Sequence, residues 1–71
     1  MLDQFANFFE LYVDDDRYVT PTLQFLVAQD EQEARRLAAQ LFMESTHHLG
    51  VEVRLGDRRV GALGTYATGR L

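Results

Sequence analysis

The clearest pattern in the chain is a stripe of small and apolar residues in its centre. They recur at i, i+3, i+4, i+7, i+8 and i+11, as Ala34, Leu37, Ala38, Leu41, Phe42 and Ser45. That spacing lines one face of an α-helix. Asp30 is a favourable N-cap, and Glu33 three residues later completes a capping-box pattern. We therefore predict a helix that opens at Asp30, fades over Ser45 to His48 and stops at a left-handed Gly50.

Two segments before the helix alternate with the period of β-strands. The first covers about residues 8–13 and the second covers residues 23–28, and each contains several strand-forming residues. The polar segment Asp14-Asp15-Asp16-Arg17 between them predicts a solvated hairpin turn. The alternate residues that begin at Phe9 and at Leu23 are expected to face the helix. Leu2, Phe5, Phe9 and Tyr12 also fit helical spacing, so we predict the strand only from about Phe8 onward and leave residues 1–6 unassigned.

A second hairpin is predicted after the helix. Val51 to Leu55 alternates cleanly, Gly56-Asp57 suits a two-residue type II′ turn, and Arg58 to Leu63 returns. The resulting register sets Leu55 opposite Arg58, Arg54 opposite Arg59, Val53 opposite Val60 and Val51 opposite Ala62. The two facing arginines need an acid, from Glu52 or from a partner, to neutralise them. Residues 64–71 read as a loose tail.

The element order β-β-α-β-β predicts an α+β fold. We expect an antiparallel sheet of about four strands, with the first and third strands adjacent and one amphipathic helix packed on one face. The 71 residues suffice for a single domain with an ordered core over about residues 8–63. The chain contains no cysteine, so disulfides cannot stabilise it. Oligomerisation is the remaining common remedy for a core this small.

The charge of the chain limits its partners. Its formal net charge is −4, and all seven basic residues are arginines. An acidic protein is a poor candidate for non-specific binding of nucleic acid or of anionic membranes. No apolar run approaches the ~20 residues of a membrane-spanning helix. The N-terminal Met1-Leu2-Asp3-Gln4 lacks the basic region of a signal peptide, so we expect a cytoplasmic protein.

Three local patterns could suggest chemistry, and none has the required spacing. His47 and His48 are adjacent, so on a helix they point about 100° apart and do not converge on one metal. The Asp14 to Asp16 run lacks the glycine and glutamate of an EF-hand loop. Ser45 near the histidines lacks the elbow and the oxyanion site of a nucleophilic serine. We therefore predict no catalytic, cofactor-binding or metal-binding residue, and no enzyme.

The sheet face that the helix does not cover is the strongest functional indication. Phe8, Tyr12 and Leu26 alternate away from the residues expected to face the helix, and an uncovered apolar patch on a small protein usually marks an interaction site. The sequence thus predicts a protein-interaction module, a homodimer or a complex with another protein. The alternative is that the first six residues or the tail cover this face.

A second functional hypothesis uses the arginines of the second hairpin. Arg54, Arg58 and Arg59 are close together in the sequence and would contact a nucleic acid or another acidic ligand. The net negative charge of the chain makes this the weaker of the two hypotheses.

Three motifs of the chain are Phe9-Glu10-Leu11-Tyr12, Asp30-Glu31-Gln32-Glu33-Ala34 and the segment from Val51 to Val60 with its Gly-Asp-Arg-Arg-Val return. They resemble the motifs of a group of short alphaproteobacterial proteins with no established activity. The resemblance spans most of residues 8–63. It implies a ββαββ fold and carries over no cofactor and no site residue.

Overall fold

The computed structural model describes residues 7–68, which form four strands and two helices. The elements are β1 (Asn7–Asp15), β2 (Thr22–Ala28), α1 (Glu31–Met43), β3 (His48–Leu55), β4 (Arg58–Gly64) and α2 (Thr65–Thr68). The strands form one antiparallel sheet in the order β2-β1-β3-β4. The predicted α+β class, the ββαββ order and the adjacency of the first and third strands are confirmed. Neither helix in this part of the chain is long and apolar enough to cross a membrane.

The core lies between α1 and one face of the sheet. Its fully buried residues come from three strands and the helix: Phe9, Leu11, Val13, Ala28, Ala34, Ala38, Val51 and Val53. Leu37, Leu41 and Phe42 of the helix pack against this cluster, so the predicted stripe is the buried face of α1. The two alanines let the helix approach the sheet closely, and the larger side chains on the strands fill the space between them.

Side-chain hydrogen bonds fix the start of α1 as predicted. The Asp30 carboxylate accepts a hydrogen bond from the Glu33 backbone N–H at 2.8 Å. The Glu33 carboxylate accepts one from the Gln29 backbone N–H at 2.7 Å. In a standard capping box this second bond comes from the N–H of the N-cap residue itself, whereas here it comes from the residue before the N-cap. The helix ends earlier than predicted, with Glu44 as its C-cap. Gly50 does not end the helix in a left-handed conformation, because it lies within β3 and pairs with Asp14 of β1.

The second hairpin has the predicted turn and a partly different register. Gly56 has φ +64° and no non-glycine residue of the described chain has a positive φ, which fits a type II′ turn over Gly56-Asp57. Arg54 lies opposite Arg59, as expected. A bulge at Val60 then shifts the ladder by one residue, so Val53 pairs with Gly61 and not with Val60. For the same reason, the residue paired with Val51 is Leu63, not Ala62.

Two segments expected to be loose are ordered. Asp14 and Asp15 belong to β1, and the turn begins only after them. Asp15 is only 4% exposed, so this part of the acidic run is not solvated. Residues Thr65–Thr68 form the short helix α2 in place of the start of the tail. The unassigned residues 1–6 and the last three residues lie outside the described residues.

The prediction that Leu26 lies on the helix-free face of the sheet was wrong. The pairing of β1 with β2 sets Phe9 opposite Leu26, so Leu26 packs against the core beneath α1. Its neighbours Phe25 and Val27 therefore point to the helix-free face, which is the face of the sheet that α1 does not contact. A shift by one residue exchanges the two faces of a strand, and the long loop between β1 and β2 leaves this choice open in the sequence.

Candidate interaction surface

Four exposed apolar side chains lie together at one end of the helix-free face. The β1–β2 register pairs Phe8 with Val27. It also pairs Phe25 with Glu10 and Leu23 with Tyr12. Their exposed fractions are 71% for Phe8, 49% for Leu23, 68% for Phe25 and 54% for Val27. We call these four residues the apolar patch. With two phenylalanines, the patch presents on the order of 400 Å² of apolar surface, comparable to the largest patches on typical monomers.

The apolar patch overlaps only partly with the interface residues predicted from the sequence. Phe8 belongs to it, and Tyr12 lies on the same face but is half-buried. Leu26 does not belong to it, since its side chain packs against the core. The sequence prediction missed the three residues that β2 contributes, because their larger size suggested a core position. The one available signal was Ala28, a small residue two positions before the N-cap, which fits beneath the helix.

The short helix α2 covers a different part of the helix-free face. The Thr65 hydroxyl donates to the Asp14 carboxylate at 2.7 Å. Burial raises the pKa of Tyr66, and the nearby Asp14, Glu52 and Tyr12 raise it further. A side chain at Gly50 would collide with Thr65, so the glycine permits this close packing. The start of the expected tail thus covers the β3 side of the face, and within residues 7–68 the apolar patch on β1 and β2 is exposed.

The centre of the same face carries a charged cluster of Glu52, Arg54 and Arg59. The Glu52 carboxylate accepts hydrogen bonds from Arg54 at 3.2 Å and from Arg59 at 2.8 Å. The predicted neutralisation of the two facing arginines by Glu52 is therefore confirmed. Both guanidinium groups have an acidic partner within the chain, which lowers their attraction for an external anion.

Arg58 lies away from that cluster. It pairs with Glu31 at the start of α1, and the guanidinium lowers the pKa of the Glu31 carboxyl. This contact ties the second hairpin to the helix. The three arginines predicted to contact a ligand are thus divided between two sites, and each has an intramolecular acid. The structure does not assemble them into one basic surface.

A network of polar side chains joins the first hairpin turn to the end of α1. Arg17 donates to both carboxylate oxygens of Asp15, at 2.9 and 2.6 Å, and its backbone N–H donates to the same group. His48 Nε2 lies 3.8 Å from that carboxylate. His48 Nδ1 donates to the Leu41 carbonyl at 2.7 Å. The histidine therefore connects the last turn of the helix to β1, a structural role.

His47 and Ser45, which lie near this network in the sequence, have other hydrogen-bond partners. His47 Nδ1 lies 2.8 Å from the Asp16 carboxylate, on a different partner from that of His48. The Ser45 hydroxyl oxygen accepts the His47 backbone N–H at 3.0 Å, as in a serine turn. Across residues 7–68, no three acidic or histidine side chains converge as metal ligands would.

Acidification is expected to test the Asp15 network. The Arg17 guanidinium, hydrogen-bonded to Asp15, holds the pKa of that carboxyl well below its usual range. A carboxyl with a lowered pKa in the folded state stabilises the fold above its unfolded pKa, about 4, and loses that contribution as the pH falls further. Asp15→Asn is therefore expected to lower the urea midpoint at pH 7 and to flatten its decline between about pH 4 and pH 2.

The matched control for this experiment is Asp57→Asn in the exposed β3–β4 turn. It changes the same charge without removing a buried contact, so its pH profile is expected to follow that of the wild type. A steep acid decline that persists unchanged in Asp15→Asn would contradict the role assigned to Asp15.

A small cleft opens on the other side of the sheet, between α1 and the β3–β4 hairpin. Its volume is about 160 Å³, and it is lined mainly by aliphatic side chains and by small residues such as Ala38, Ala39, Gly61 and Ala62. A Cβ atom at Gly61 would lie 2.9 Å from Arg35 Cγ, so the glycine lets Arg35 cross the cleft. An apolar lining with one arginine offers no pair of groups for acid–base or nucleophilic chemistry.

Comparisons with known proteins identify no relative. No family model, no curated protein and no solved structure matches the chain.

Proposed function

We propose that the chain is a non-enzymatic protein-interaction module that works as a homodimer. The observation that carries the proposal is the apolar patch of Phe8, Leu23, Phe25 and Val27 on the helix-free face. Its four large side chains are contiguous in two paired strands, whereas exposed apolar residues on most surfaces are scattered singly.

The size of the domain supports self-association. A chain of 71 residues buries only roughly 60% of its unfolded surface, and this one has no disulfide to compensate. Contact of the apolar patch with a second copy removes apolar surface from water, worth about 25 cal/mol per Å² buried. The patch amounts to roughly half of the ~800 Å² per partner that a standard interface buries, so other residues of the interface contribute the rest.

The expected compartment is the cytoplasm, which the absence of cysteine supports. Binding of a nucleic acid or another acidic ligand by Arg54, Arg58 and Arg59 has less support than dimerisation. Each of these arginines is paired with Glu52 or Glu31, so binding would first have to break an internal ion pair.

Sedimentation equilibrium of the wild type and of Phe25→Ser tests the proposal. The wild type is expected to be dimeric at tens of micromolar, because association removes part of the apolar patch of each copy from water. Phe25→Ser removes a phenyl ring from the patch and is expected to raise the dissociation constant at least about tenfold. Far-UV circular dichroism checks that the variant keeps its fold.

Val19→Ser provides the matched control. Val19 is fully exposed in the loop between β1 and β2, outside the apolar patch, and also loses an exposed apolar side chain. Its dissociation constant is expected to equal that of the wild type. A wild type that stays monomeric, or equal dissociation constants for all three proteins, would overturn the proposal.

A further inference from the structure

We infer that the dimer forms by antiparallel pairing of β2 with β2 of a second copy, which joins the two sheets into one of eight strands. This inference rests on the proposed function and specifies which surface carries it. Because β2 and β4 are the two edges of the sheet, each ends the ladder of backbone hydrogen bonds in the described chain. A free edge of this kind can pair with another strand unless the sequence blocks it.

The two edges differ in how far the sequence protects them. The edge strand β4 carries two arginines at its start, a bulge at Val60 and glycines at positions 61 and 64. Charges and bulges are the devices that prevent edge pairing in natural sheets. At its end the chain turns into α2, which packs against β3 and β4. This edge is therefore closed to a second sheet.

The edge strand β2 has none of these devices. Its seven residues, Thr-Leu-Gln-Phe-Leu-Val-Ala, include no charged residue and no proline. Its ladder with β1 runs without a bulge from Thr22 to Ala28. Pro21 lies just before the strand and limits any pairing to these seven residues. An edge strand with no charge, no proline and no bulge favours pairing with another strand.

The sequence of β2 is complementary to itself about Phe25. A two-fold axis through Phe25 pairs the two copies of this residue and sets Leu23 opposite Val27 of the second copy. All three are members of the apolar patch, so the two patches become one continuous apolar surface across the axis. On the helix side, Thr22 meets Ala28 and Gln24 meets Leu26 of the second copy, so no like charges face each other.

Edge pairing adds backbone hydrogen bonds between the two copies to the side-chain contacts of β2. Edge pairing satisfies the outward N–H and C=O groups of β2 in addition to burying the flanks of the patch. The remaining patch surface of both copies then lies side by side on one face of the joined sheet. Both α1 helices lie on its opposite face, because both copies keep the same face of the sheet toward the helix, and each helix lies mainly over β3 and β4, away from the axis.

Gln24 distinguishes edge pairing from the stacking of two helix-free faces. Gln24 is exposed and points to the helix side of β2, opposite to the apolar patch. In the edge-paired dimer the two Gln24 side chains are diagonal neighbours across the axis, with Cα atoms roughly 7–8 Å apart. In a stacked dimer they lie on the two outer faces, separated by both sheets.

The first experiment measures the dissociation constants of Gln24→Lys and Gln40→Lys by sedimentation equilibrium. Gln24→Lys sets two positive charges beside the axis and is expected to weaken the dimer at least about tenfold. Gln40→Lys makes the same charge change on the exposed face of α1 and is expected to leave the dissociation constant within about twofold of the wild type.

The second experiment measures cross-linking between single cysteines, which is specific because the chain has none of its own. Gln24→Cys is expected to give a covalent dimer with a bismaleimide linker about 8 Å long, whereas Gln40→Cys is not. A dimeric wild type with no cross-link at Gln24 and an unchanged dissociation constant in Gln24→Lys would overturn edge pairing alone. A monomeric wild type would overturn the proposed dimer itself.

Discussion

Phe9→Ala is expected to unfold most of the protein. Phe9 is completely buried between β2, β3 and α1, in a core that has few large side chains. Truncating a buried phenylalanine to alanine costs about 3–5 kcal/mol in lost burial and in the cavity left behind. A domain of this size has a total stability of roughly 5 kcal/mol, so little of it would remain. Urea unfolding followed by far-UV circular dichroism measures the loss.

Phe8→Ala is the matched control, since it makes the same change at the adjacent residue. Phe8 points to the opposite face of β1 and is largely exposed. At a protein concentration below the dissociation constant, its cost is expected to stay under about 1 kcal/mol. Equal losses of stability in Phe8→Ala and Phe9→Ala would contradict the assignment of the two faces of β1.

Gly64→Ala is expected to destabilise the fold by about 3 kcal/mol or more. Gly64 has φ +66°, a conformation that costs a residue with a Cβ atom about 1–2 kcal/mol. The added methyl group would also collide with the Leu49 carbonyl oxygen and lie 2.9 Å from Gly50 Cα. Both obstacles are backbone atoms of β3, so no side-chain rotation can relieve them. Thermal unfolding is expected to show a decrease in Tm of more than about 10 °C.

Gly56→Ala separates the two contributions. Gly56 has nearly the same φ, +64°, but a Cβ atom there would meet no atom within 4 Å. The expected cost is the conformational one alone, about 1 kcal/mol, or a decrease in Tm of about 5 °C. Comparable decreases in both variants would contradict the close approach of β4 to β3 at Gly64.

The local elements of this fold could be predicted because short-range chemistry determines them. The Asp30 cap, the apolar stripe of α1 and the Gly56-Asp57 turn each depend on residues within a few positions of one another. The ends of the helix and strands were predicted less accurately. The helix ends at Met43, and β3 begins at His48, earlier than its alternating apolar residues indicate.

Features that depend on distant residues were predicted less well. The bulge at Val60 displaces the β3–β4 register, and Gly61 beside it packs beneath Arg35 of the helix. The burial of Asp15 depends on Arg17 and on His48, which is more than 30 positions away in the sequence. α2 is ordered because Thr65 reaches Asp14 on another strand.

The candidate interaction surface was also predicted only in part. The sequence alone determined that a single helix would leave one face of the sheet uncovered, that Phe8 would lie on that face, and that the chain carries no recognisable catalytic motif. The pairing of β1 with β2 in the folded chain determines that the face of β2 lying beside Phe8 carries Leu23, Phe25 and Val27.

The physical reason is the period of a β-strand. Each strand has two faces that exchange when its register moves by one residue, and both faces of β2 contain apolar side chains. Alternation within β2 therefore shows which residues share a face, but not which of the two faces points to the helix. Pairing with β1 sets Leu26 beneath α1 and leaves Phe25 exposed on the opposite face. The core and the proposed dimer surface thus use opposite faces of the same strand.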